Sequence, residues 1–202
     1  MLDNTTWWNG SLVDGYTLPF VIQVKNDKGN CINAISRQKI FNPSVDCSGL
    51  DLKQCPTHER LTTPGQPSEV NGISLSSVNL AFVIDGRVEG CFSPCAKLTY
   101  AQGTPGDATA APPKGWNAAN PWPPGGLSKI LGGIGPRSPL ASGYCCPETS
   151  VECEKDGLAA HSQFTQSAHG PQRCSAYTYA YDDGIGLTQC PAETQFEVIF
   201  CP

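Results

Sequence analysis

The cysteines constrain this chain more than any other feature. Eleven of them lie in 202 residues, and no two are spaced as Cys-x-x-Cys. Cys91 and Cys95 have three residues between them, Cys145 and Cys146 are adjacent, and the others stand alone. A zinc protein with this many cysteines would carry close-set pairs with partnering histidines; here only His58, His161 and His169 are available. The pattern points to a disulfide framework and to no metal or cofactor. Such a framework persists in an oxidising, extracellular compartment, so the chain is expected to be secreted. Which cysteine pairs with which cannot be deduced from spacing. The first ten residues, MLDNTTWWNG, have neither a basic nor an apolar signal-peptide region, so the leader that secretion needs is expected to lie outside this chain.

At 202 residues the chain is the size of one domain, with Gly 21 and Pro 18 arguing for a loop-rich, mainly β protein rather than a helical bundle. A net charge of −5 offers no basic footprint, so nucleic acid and anionic membrane are excluded as partners. No apolar run approaches the roughly 20 residues of a membrane span. Phe20, Ile22 and Val24 alternate as one face of a strand, and Val78 to Ile84 reads as another, ended by Asp85-Gly86. Leu158 to Ser167 has the composition of a short helix. Near the C-terminus, Tyr177, Tyr179 and Tyr181 alternate with small residues. Turn formers follow (Asp182, Asp183, Gly184, Gly186), and then Phe196, Val198 and Phe200 alternate again, so the end of the chain reads as a β-hairpin. Residues 101–143 hold eight prolines and nine glycines without a cysteine. This segment reads as a solvated loop inserted in the domain, or as an extended proline-rich binding segment.

Several of these runs carry a resemblance. Tyr177-Thr178-Tyr179-Ala180-Tyr181-Asp182-Asp183, Cys190 and Phe200-Cys201-Pro202 resemble the closing motif of thaumatin-like (osmotin-type) proteins. Ser11-Leu12-Val13-Asp14-Gly15-Tyr16, Cys47 to Pro56, Gly90-Cys91-Phe92-Ser93-Pro94-Cys95 and Tyr144-Cys145-Cys146 resemble earlier segments of the same family. The resemblance implies a single thaumatin-like domain over 1–202, a flattened β-sandwich with a disulfide-rich loop region. It also implies that the family's N-terminal portion, roughly two-fifths of the domain, precedes the matching residues and is lacking here. The family's pairing would join Cys31–Cys190, Cys47–Cys174, Cys55–Cys91, Cys95–Cys145 and Cys146–Cys153. Cys201 would be left unpaired, since its partner in the family is N-terminal. A complete domain is expected to be monomeric, whereas association through Cys201 is open to this chain.

The family binds β-1,3-glucan in an acidic cleft, and some members hydrolyse it. Hydrolysis needs two carboxyl groups flanking the glycosidic bond, about 5–5.5 Å apart for retention and about 6.5–9.5 Å for inversion. The resemblance nominates Asp14 and Asp182 or Asp183 for that work. A further family aspartate aligns with Asn9, which cannot ionise. In Asp-Gly and Asp-Asp-Gly contexts these aspartates also serve simply as turn residues. Trp7, Trp8, Asp14 and Tyr181 are candidates for contact with sugar, the aromatic faces for stacking and otherwise for burial. Asn4 and Asn9 head N-glycosylation sequons, and a glycan on Asn9 would stand where the family has a cleft acid. The expected function is binding of cell-wall β-1,3-glucan in defence or wall remodelling. The rivals are an endo-β-1,3-glucanase and a non-catalytic cystine-rich inhibitor or structural protein.

Overall fold

A computed structural model describes residues 4–25, 30–70, 72–99, 134–148, 153 and 157–202. Strand β3 (Phe20–Lys25) is the centre of the first sheet. It pairs antiparallel with β12 (Gln195–Phe200) on one side and with β6 (Ser44–Cys47) on the other. The register sets Phe20 beside Cys47 and Phe200, and Ile22 beside Val45 and Val198. The period-2 pattern therefore lines one face with apolar side chains.

A second antiparallel sheet has the order β1 (Thr5–Trp8), β11 (Thr188–Pro191), β4 (Cys31–Asn33), β5 (Lys39–Ile40). It meets the first where Trp8 packs edge-on against Phe196, with ring centroids 5.1 Å apart. A third sheet holds β2 (Gly15–Tyr16), β10 (Arg87–Phe92) and β9 (Ala81–Ile84), and β7 (Glu69–Val70) pairs with β8 (Ile73–Ser74). Gly15 is required where it is: at φ +118° it lies so close to the Cys91 carbonyl that a Cβ would clash. The described residues also form a 3-10 turn (Leu52–Gln54) and four short α-helices: α1 (Pro94–Thr99), α2 (Ser142–Cys145), α3 (Gln163–His169) and α4 (Asp183–Gly186). The protein is thus mainly β, and among the described residues no helix is long and apolar enough to cross a membrane.

Two cores form. The larger gathers Leu12, Tyr16, Val45, Leu80, Phe164 and Ala176 with Trp8, Phe20 and Ile22 against it. The second gathers Leu61, Leu75, Leu98, Ile134, Ala141 and Tyr144. Five disulfides close around them: Cys31–Cys190, Cys47–Cys174, Cys55–Cys91, Cys95–Cys145 and Cys146–Cys153. The first two span 159 and 127 residues. Loop-closure entropy makes such long-range staples worth about 5 kcal/mol each in the chain-entropy picture. Cys201 has no disulfide and is exposed.

Three sequence expectations are corrected. The Tyr ladder is not a strand, and no hairpin joins it to the chain end. Residues 178–182 form turns because the Asp182 carboxylate accepts from the Thr178 N–H and hydroxyl (3.0 and 2.9 Å), giving this backbone a local partner instead of a ladder. The strand before β12 is β11, and the two belong to different sheets. The helix anticipated at 158–167 starts later, at Gln163, where Ser162 caps it by accepting from the Thr165 N–H. Finally, the inserted segment is not solvated throughout. Residues 101–133 lie outside the described residues, but Ile134 and Ala141 are buried in the second core.

Candidate functional site

The segment from Asn9 to Asp14 runs beside Tyr177. The Tyr177 N–H donates to the Gly10 carbonyl at 2.9 Å, and the Leu12 N–H donates to the Tyr177 carbonyl at 2.6 Å. This holds the Tyr177 ring so that its hydroxyl donates to Asp183 Oδ1 at 2.6 Å, with the Asn9 side chain near enough to the same phenol to act on its pKa. Burial, and then the Asp183 carboxylate, push the Tyr177 phenol well above its ordinary pKa, so it remains a donor at any physiological pH.

Asp182, next in the chain, does a different job. It is buried, and its Oδ2 takes both Thr178 donors and lies 3.2 Å from His169 Nε2. His169 Nε2 also lies 3.1 Å from the Ala176 carbonyl. Burial opposes a charge on His169, but its contacts with Asp182 outweigh that, and its pKa is raised above the usual value. Tyr179 is pushed up to about 12 by burial and then by the Asp182 charge. The adjacent aspartates are therefore divided: Asp183 faces Tyr177 and Asn9, while Asp182 faces inward to Thr178 and His169.

Asp14 is exposed; its carbonyl accepts from the Ser93 N–H at 3.4 Å. The two tryptophans part company. Trp8 is half-buried, donating through Nε1 toward Cys190 Sγ at 3.2 Å. Trp7 is 52% exposed on the opposite face of the same strand, in register with Gln189. Gln189 in turn accepts from Arg37 and donates to Thr5. Tyr181 packs against the small cluster of Cys146, Cys153, Ala159 and Tyr179. Asn4 and Asn9 are both exposed. The structure thus brings Asn9, Tyr177 and Asp183 together and leaves Trp8 and Asp182 facing inward. Among the described residues no three His, Cys, Asp or Glu side chains converge as metal ligands.

A concavity lies by the second core. A cavity of about 530 Å³ is lined by Glu59, Arg60, Thr62, Tyr144, His161 and Gln163, among others. Glu59, only 2% exposed, accepts from the backbone N–H groups of Phe164 (2.9 Å), Gln163 (3.2 Å) and Arg60 (3.2 Å). It thereby satisfies the first turn of α3, whose N–H groups have no partner within the helix. Burial nevertheless raises the Glu59 pKa against the pull of those donors. Tyr144 donates to the carbonyls of Arg60 and Thr62, and burial followed by the Glu59 charge pushes its pKa to about 12.

Sequence reasoning missed His169, Glu59 and the role of Tyr177. The only local signal was the four-residue spacing of Thr178 and Asp182, which a side-chain-to-backbone turn would use; His169 and Glu59 meet their partners through the fold. No protein-family model matches the chain.

Proposed function

We propose that this chain is a secreted thaumatin-like protein that binds cell-wall β-1,3-glucan without cutting it, in defence or wall remodelling. The family reading rests on the motifs around Asp14, Cys91, Cys145 and Tyr177, with a mainly β fold and five disulfides in keeping with it. On this reading the sheets ordered β1-β11-β4-β5 and β12-β3-β6 are the leaves of the flattened sandwich. Five bridges support an extracellular address, because a reducing cytosol would not maintain them.

The observation that carries binding over hydrolysis is the engagement of both C-terminal carboxylates. Glycoside cleavage asks for one protonated acid and one free carboxylate across the bond. Asp182 is buried against Thr178 and His169, and Asp183 is held by the Tyr177 hydroxyl. Asn9, in contact with the same phenol, supplies an amide where a second acid would be needed. What this group can do is exchange hydrogen bonds with sugar hydroxyls, through the remaining lone pairs of Asp183, the Asn9 amide and exposed Asp14. The exposed Trp7 face offers stacking area, as sugar rings favour.

The test is co-sedimentation with insoluble β-1,3-glucan alongside a reducing-sugar assay on laminarin. Retention of the protein with no release of reducing ends is expected. Release that Asp14→Asn abolishes would make the chain an endo-β-1,3-glucanase. Failure to sediment with the glucan would favour the non-carbohydrate reading.

A further inference from the structure

Asn9 and Gly10 form one of two Asn-Gly pairs in the chain, the other being Asn71-Gly72. An asparagine before glycine is prone to lose its side-chain amide, because glycine has no side chain to keep its own nitrogen away from the preceding Cγ. The fold requires glycine at position 10. A Cβ added there would lie 2.7 Å from Val45 Cγ1, 3.2 Å from Phe20 Cε2 and 3.3 Å from Ala176 Cβ, all of them part of the larger core or packed on it. The Gly10 carbonyl accepts from the Tyr177 N–H at 2.9 Å, which anchors the residue through its carbonyl and leaves its N–H out of that bond. Close packing thus obliges glycine to follow Asn9 at the point where the Asn9 side chain approaches the Tyr177 phenol, the donor to Asp183.

We propose that Asn9 is a deamidation site whose conversion sets a second carboxylate beside Asp183. The Gly10 nitrogen gives up its proton and attacks Asn9 Cγ. The side-chain nitrogen leaves as ammonia, taking up that proton, and a succinimide ring remains. Water then opens the ring at one of its two carbonyls. Opening between Cγ and nitrogen restores the main chain and leaves a carboxylic acid on the side chain. Opening between nitrogen and the former backbone carbonyl reroutes the main chain through Cγ as isoaspartate. Nothing is oxidised or reduced, and water is the only co-reactant. The first product puts a negative charge on the side chain that faces Tyr177 and Asp183, where like charges repel. The second lengthens the backbone by a methylene between Trp8, paired with Thr188, and the Gly10 carbonyl, which has to reach Tyr177. Both disturb the arrangement in which Tyr177 donates to Asp183 beside a neutral neighbour. An N-glycan at the Asn9-Gly10-Ser11 sequon would occupy the same side-chain nitrogen and prevent its loss, so the two modifications exclude each other. The conversion does not depend on which ligand the site takes.

The full chain, made without glycosylation, is incubated folded in mildly alkaline buffer for several times as long as the urea-unfolded chain needs to lose most of its Asn9 amide. The tryptic peptide 1–25, which ends at the first basic residue, is then fragmented. It is expected to carry the mass gain of an NH2-to-OH exchange at Asn9, as aspartate and isoaspartate. An intact Asn9 amide overturns the proposal, whether or not Asn71 has converted. Urea unfolding near neutral pH tests the placement beside Asp183. Asn9→Asp should lower the midpoint, and the loss should vanish in the Asp183→Asn background, which lacks the opposing carboxylate. If Asn9→Asp alone fails to fold, the double variant should fold. An equal loss in the two backgrounds, no loss in either, or a double variant that does not fold overturns the placement.

Discussion

Two regions of this molecule solve the problem of covering apolar side chains in opposite ways. Around the second core, Leu61, Leu75, Leu98 and Ala141 are sealed from solvent. The Cys95–Cys145 bridge ties α1 to α2 there, and the Tyr144 hydroxyl ties α2 to the 60–62 backbone. At β12 the same kind of side chain, in a regular strand with good pairing to β3, stands open, and the one cysteine beside it has no bridge. Regular secondary structure is complete in the second region and scant in the first. Burial here follows from closure of the chain on itself, by disulfides and buried polar contacts, and not from strand content.

Substitutions can break or sharpen this contrast. The largest effect is expected in the closed region: Leu98→Ala should cost about 2–5 kcal/mol in denaturant unfolding, as cavity-forming changes in a sealed core do. Losing Cys31–Cys190 by a double Ala substitution should cost a similar amount, about 2–5 kcal/mol, by the same measurement. Next comes Glu59→Ala, which strips the first turn of α3 of its buried acceptor and should cost about 1–3 kcal/mol. At the open edge, by contrast, Val198→Ala should change the stability of the monomer by no more than about 0.5 kcal/mol. A large loss in the monomer would mean that another part of the same chain covers the edge and the contrast is false.

The smallest effect is a pH dependence. His169 has a raised pKa in the folded state, so its stabilising contribution is fully present below its ordinary value and is lost as pH rises through the raised one. Unfolding midpoints measured from pH 5 to 9 should show that step in the wild type. In His169→Gln the step should be missing.

The legible parts of this fold are those in which local pattern and tertiary role agree. Phe20, Ile22 and Val24 alternate in sequence and share one face of β3, and Asp85-Gly86 both reads as a turn and turns, at φ 47° and 79°. Illegible parts are those where a side chain outbid the pattern. Tyr177, Tyr179 and Tyr181 alternate as a strand would, but Asp182 takes the Thr178 backbone N–H and ends that option. Strand β11 could not be seen because Thr188-Gln189-Cys190-Pro191 has no apolar period; it forms between β1 and β4, which supply its ladders. In the same way composition marked 101–143 as a loop, while Ile134 and Ala141 are buried in a cluster that includes Leu61, Leu75 and Leu98, distant in the chain. At the candidate site Asp14, Asp182 and Asp183 could be nominated from motifs, but not the partition of duties between the adjacent pair, which depends on His169 and Asn9.

That partition is the centre of the functional account, and one titration tests it most directly. The affinity of a soluble β-1,3-glucan oligosaccharide would be measured calorimetrically for the wild type, for Asp183→Asn and for His169→Gln. If Asp183 presents its free lone pairs to the sugar while His169 serves the fold through Asp182, Asp183→Asn should weaken binding about tenfold, the scale of one charge-assisted hydrogen bond. His169→Gln should leave the affinity unchanged. Equal affinity for the wild type and Asp183→Asn, or a loss confined to His169→Gln, would contradict the account.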